Sequence, residues 1–98
     1  MDNEQIKDWT KANSEGLMLP MTFTDDEIDH ISMCLEHIVK WYEEDYPLGS
    51  FLTAVVRNDF CEACLRADDI NIRALYLYAL FLHNRLPSDW RKKALATC

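Results

Sequence analysis

Residues 24–45 read TDDEIDHISMCLEHIVKWYEED, and the fold class follows from how this stretch is wound. Thr24 followed by Glu27 has the pattern of a capping box, with Phe23 and Ile28 placed to staple it. Asp25 and Asp26 fall in the first turn, where negative charge suits the positive helix end. Ile28, Ile31, Leu35, Ile38, Val39 and Tyr42 then recur at spacings of three and four, the period of an amphipathic helix. The helix is expected to end near Asp45, because Pro47 disfavours helical geometry at Tyr46.

Working outward, Ser50 after Gly49 is a good N-cap for a second helix over about 50–67, with Leu52, Val56, Phe60, Ala63 and Ala67 as its core stripe. Ala54, Cys61 and Leu65 form a weaker second stripe. Asp68 or Asp69 caps a third helix over about 69–84. Its run INIRALYLYALFLH (residues 70–83) is apolar nearly all round, as befits the middle of a bundle. Ser88 can cap a short terminal helix to about Ala96. Only two glycines and three prolines leave little turn chemistry for a β fold. The expectation is an all-α, single-domain helical bundle of three main helices plus a short C-terminal helix, spanning 21–98. Residues 1–20, which lack a sustained period and contain Gly16 and Pro20, read as a flexible or partly ordered arm; Ile6 and Trp9 allow a short amphipathic turn there.

Charge narrows the function. The net charge is -7, unevenly spread: residues 1–46 hold 12 acids against Lys7, Lys11 and Lys40, whereas residues 47–98 hold five acids against seven bases. Phosphate contacts need clustered Lys and Arg, so direct nucleic-acid binding is not expected; a basic protein surface is the partner such a chain favours. Asp29, Glu36 and Glu43, seven residues apart, repeat at roughly 10 Å along the first firm helix. With Asp25, Asp26 and Glu44 they make a negative rod opposite the apolar stripe. A solvated face is the simpler reading of such a row, and a partner-binding face that presents carboxylates is the residual one. No apolar run is long enough for a membrane span and no secretory signal is visible, which places the chain in a cytoplasm with its four cysteines reduced.

Two constellations bear on chemistry. In Phe60-Cys61-Glu62-Ala63-Cys64 a CxxC falls about eleven residues into the expected second helix. A redox CxxC sits at a helix start after a strand, and a structural zinc site commonly needs a second pair, so Cys61 and Cys64 read as small buried apolar residues. His30, Cys34, His37 and Trp41 form a strip between the apolar and acidic faces of residues 24–45. It reads first as a packing margin or contact surface, with Trp41 the natural anchor for a partner, and second as a low-ranking metal site of His30, Cys34 and His37. No GxGxxG, Walker loop, HExxH or GxSxG motif is present. No catalytic residue and no cofactor is expected.

The block PLGSFLTAVVRNDF (residues 47–60), then Arg66-Ala67-Asp68-Asp69 with Asn71, and Phe81-Leu82-His83-Asn84 with Pro87 and Trp90, resembles a group of small phage and prophage proteins. The likeness is one of pattern and covers residues 47–90. It implies a bacterial host cytoplasm and an accessory gene, with no activity to carry over. The leading expectation is a non-enzymatic acidic module, a phage-encoded inhibitor of the anti-CRISPR type. It would dock through Asp25, Asp26, Asp29, Glu36, Glu43, Glu44 and Trp41 on the basic surface of a nucleic-acid-binding host protein. The alternative is a structural or regulatory homo-oligomer, a homodimer for example, assembled through the His30/Cys34/His37/Trp41 strip, with or without the help of a metal on His30, Cys34 and His37.

Overall fold

The computed structural model describes residues 2–15 and 23–96, and every described element is a helix. In chain order they are α1 (Asn3–Glu15), α2 (Asp25–Glu44), α3 (Ser50–Val56), α4 (Phe60–Arg66), α5 (Asp69–Arg73), α6 (Leu75–Arg85) and α7 (Trp90–Ala96). One cluster of buried side chains runs through the structure, from Ile6 of α1, through Ile31, Leu35 and Ile38 of α2 and Val56 of α3, to Leu77, Phe81 and Leu82 of α6 and Ala94 of α7. No described helix is long and apolar enough to cross a membrane.

Helix α2 forms as its sequence dictates. The Thr24 side chain accepts from the Glu27 amide and the Glu27 carboxylate accepts from the Thr24 amide, closing the capping box. The helix ends where Asp45 turns left-handed (φ 58°), its amide bonding back to the Trp41 carbonyl. Glu27 also pairs with Arg73, whose guanidinium lies 5.1 Å from the Phe23 ring, fastening the start of α2 to α5.

The two later helices differ from the expected spans. The 50–67 helix is two, because Asn58 adopts a left-handed conformation (φ 59°) that ends α3. The amides of Asn58 and Asp59 bond back to the carbonyls of Val55 and Ala54, the paired pattern of a Schellman ending. Asp59 at once caps α4, its carboxylate accepting from the Glu62 amide at 3.3 Å. The break resets the helical phase. Phe60, expected in the core, is 73% exposed, and Leu65 is exposed as well, while Ala63 stays buried. The 69–84 helix is likewise interrupted at Ala74, between α5 and α6; its cap is Asp68, which accepts from the Asn71 amide at 2.8 Å. Leu75 is half-buried rather than fully enclosed.

Of residues 1–20, the described part holds α1, thirteen residues long where the Ile6/Trp9 spacing offered a single turn. Ile6 and Thr10 are wholly buried, and Trp9 meets Phe81 edge-on at 5.0 Å. Thr10, Ser14 and Ser32 are the buried polar residues of α1 and α2. Each hydroxyl donates to a carbonyl of its own helix (Ile6, Lys11 and Ile28), so none is left unsatisfied. Residues 16–22 lie outside the described residues.

Candidate functional site

The acidic row on α2 begins from helix geometry: Asp25, Asp29, Glu36 and Glu43 line the side turned away from Ile31, Leu35 and Ile38. It is not uniform. Lys7 of α1 reaches Asp29 at 2.8 Å, and hydrogen bonding and charge from Asp29 raise the Lys7 pKa. Lys40 stands 3.6 Å from Glu36, which is only partly exposed. The middle of the row is therefore matched by the chain's own lysines. Both pairs lie at the surface, where solvent screens such contacts and they yield easily to a competing cation.

The two ends behave differently. Asp25 and Asp26, and Glu43 and Glu44, are exposed, and none of the described ion pairs involves them. Asp25 and Asp26 fit the positive end of the helix. Glu43 and Glu44 do not: they occupy the last turn, which carries no basic residue, and the helix field there disfavours negative charge by about 0.3–1 kcal/mol. The neighbouring Asp45 is accounted for by Lys93 of α7, 2.5 Å away.

Trp41 must be removed from the contact face. It is 3% exposed and belongs to the core, with the Lys93 ammonium 5.6 Å from the centre of its ring. Lys93 also donates to the Tyr42 carbonyl at 3.0 Å, and the Tyr42 hydroxyl donates to Asp89, just before α7, at 2.5 Å, so α7 and the residue before it are tied to this end of α2. An indole between the apolar and polar arcs is enclosed because α7 folds back onto it, a contact that the periodicity of α2 does not encode.

The His30/Cys34/His37 strip does not converge. His30 Nε2 lies 3.9 Å from Cys34 Sγ and 3.5 Å from Asp68 Oδ2, but His37 turns to the Tyr46 ring, 5.1 Å centre to centre. Among the described residues no three His, Cys, Asp or Glu side chains gather as a metal site would require. Cys34, His30 and Asp68 have the residue types of a nucleophile, a base and its orienting carboxylate. Their geometry differs from that arrangement, because Cys34 and Asp68 approach the same ring nitrogen, whereas a relay uses both. Burial, above all, raises the Cys34 thiol pKa, and raises the hydroxyl of Tyr78, which donates to Asn71 at 2.5 Å. These groups knit α2, α5 and α6 together.

The CxxC is corrected too. It lies at the start of α4, with Cys61 exposed and Cys64 half-buried, both free. The Asn58–Asp59 break that exposes Phe60 exposes Cys61 with it. The signal was present in the sequence: Asn58 tolerates the left-handed turn, and Asp59 with Glu62 three residues on repeats an N-terminal cap pattern. No family model, no curated protein and no solved structure matches the chain.

Proposed function

We propose that this chain is a non-enzymatic protein-binding module that presents the acidic face of α2 to a basic protein surface. The observation that carries the reading is the pair Glu43 and Glu44. Acidic residues at the start of α2 serve the helix, but these two oppose its field and pair with no described cation. Residues that work against local stability are where a functional surface is to be sought. Asp25 and Asp26 extend the face at the other end, and Asp29 and Glu36 join it by releasing weakly held lysines.

A row of carboxylates of this length imitates a short run of nucleic-acid backbone, so the favoured partner is a nucleic-acid-binding protein whose basic groove the face occupies. The resemblance over residues 47–90 carries no activity of its own and suggests only a bacterial setting; within it, the acidic face alone supports reading the module as an inhibitor of the anti-CRISPR kind. Competition tests the reading. After capture of a partner from bacterial lysate and its identification by mass spectrometry, its own nucleic acid should displace the chain as concentration rises. Simultaneous, non-competing binding would contradict occupation of the groove. The homo-oligomeric alternative draws less support, since Trp41 is enclosed and His37 is engaged with Tyr46.

A further inference from the structure

Helix α6 has almost no polar face, yet the described residues leave one side of it open. Tyr76, Ala79 and His83 lie at spacings of three and four along that side, and all three are exposed, Tyr76 at 56%. Ile72 of α5 continues the stripe and is exposed as well. Tyr76, Ala79 and His83, without Ile72, form the floor of a groove of about 690 Å³. One wall is the junction of α3 and α4, with Val55, Arg57 and Phe60; the other is α7, with Trp90, Arg91 and Leu95. Leu95 is 85% exposed, so each wall carries an apolar side chain projecting into solvent beside the groove. No residue of α2 lines it.

Two arginines, Arg57 and Arg91, and one acid, Asp59, line the groove, which leaves its charge positive on balance. Neither arginine takes part in a described ion pair, Arg91 lies 5.5 Å from the Trp90 ring, and the Asp59 carboxylate accepts from the Glu62 amide. We propose that this groove receives an amphipathic helix of a partner protein, its apolar stripe seated on Tyr76 and Ala79 and its flanking carboxylates reaching Arg57 and Arg91. The small side chain of Ala79 lets a helix axis approach to about 8–10 Å, ordinary helix-packing distance, and the added helix would cover the open side of α6. A second copy of the chain fits poorly. Two-fold pairing across the groove would set the same arginines against each other between chains that each carry a net charge of -7. This surface is separate from the acidic α2 face, and each can fail without the other.

The test uses the full chain, ¹⁵N-labelled, and a designed helical peptide of about 16 residues with leucines at helical spacing and glutamates on both flanks. The comparator has lysines in place of the glutamates. The acidic peptide should shift the amide signals of Tyr76, Ala79 and Leu95, and should bind roughly tenfold more tightly than the basic one. The double variant R57E/R91E should reverse that order; both side chains are exposed, so the fold, checked by thermal melting, should survive. Ala79→Trp should block both peptides. Equal binding of the two peptides, no shifts at the groove, or an order unchanged in R57E/R91E would overturn the proposal. So would sedimentation showing a dimer dispersed by Ala79→Trp, which would give the groove to a second copy.

Discussion

Helix α2 and the segment 50–66 present similar amounts of helical sequence, and only α2 forms one helix from it. In α2 a capping box starts the helix, the apolar spacing is unbroken for twenty residues, and a left-handed Asp45 ends it. In segment 50–66 the apolar spacing also looks continuous, but Asn58 and Asp59 stop one helix and start another. Periodicity transmits phase only along an uninterrupted helix. Two residues at the break turn Phe60 and Leu65 from core positions into exposed ones and bring Cys61 to the surface.

The largest effect expected from this contrast is in packing. Leu35→Ala in α2, or Leu82→Ala in α6, removes a buried side chain from the common core and should cost about 2–5 kcal/mol in urea unfolding. Phe60→Ala, which a continuous helix would make as damaging, should change stability by no more than about 0.5 kcal/mol. Equal losses at Leu35 and Phe60 would mean that the break is absent and the 50–66 helix continuous.

The break itself can be probed next. Asn58→Gly should be neutral or slightly stabilising, whereas Asn58→Val should cost about 1–3 kcal/mol, since a β-branched residue resists positive φ. Asp59→Ala should cost about 1 kcal/mol by removing the cap of α4. If Asn58→Val proved harmless, the left-handed ending of α3 would be wrong.

A smaller effect lies at the start of α2 and depends on pH. The Glu27 pKa is held below its ordinary value, first by the bond from the Thr24 amide and then by Arg73. A carboxylate whose pKa is lower in the folded chain stabilises above its unfolded value, and that contribution fades as pH falls through the lowered one. The melting temperature of the wild type should therefore fall more steeply on acidification below about pH 4.5 than that of Glu27→Gln. Parallel curves would remove Glu27 from the account of the clasp.

These contrasts also mark what was legible in the sequence. The all-helical class, the cap at Thr24, the inward stripe of α2 and a cap at Asp68 or Asp69, which the structure gives to Asp68, were all readable, because each rests on contacts three or four residues apart. Helix α1 was harder to see. Its inward face includes Thr10 and Ser14, whose hydroxyls bond to their own helix and so pack like small apolar groups, invisible to a hydropathy pattern. Trp41 was misplaced for another reason: Lys93 of α7, which lies over its ring, comes from about fifty residues away. Of the candidate site, the acidic residues were visible as a row; in their division into a lysine-matched middle and unmatched ends, the Lys40–Glu36 match lies within α2, four residues apart, whereas the Lys7–Asp29 match depends on α1 lying beside α2.

That division supplies the most direct test of the central claim. Association of the chain with its captured partner should be measured by stopped-flow at several ionic strengths, for the wild type and for E43K/E44K. Lysines suit the C-terminal turn of a helix, so the variant should melt no lower than the wild type. Its association should nevertheless be much slower, and the fall in rate with added salt should be shallower than for the wild type. A variant that is equally stable and associates with the wild-type rate and salt dependence would show that Glu43 and Glu44 are merely solvated, and would contradict the assignment of the acidic face as the docking surface.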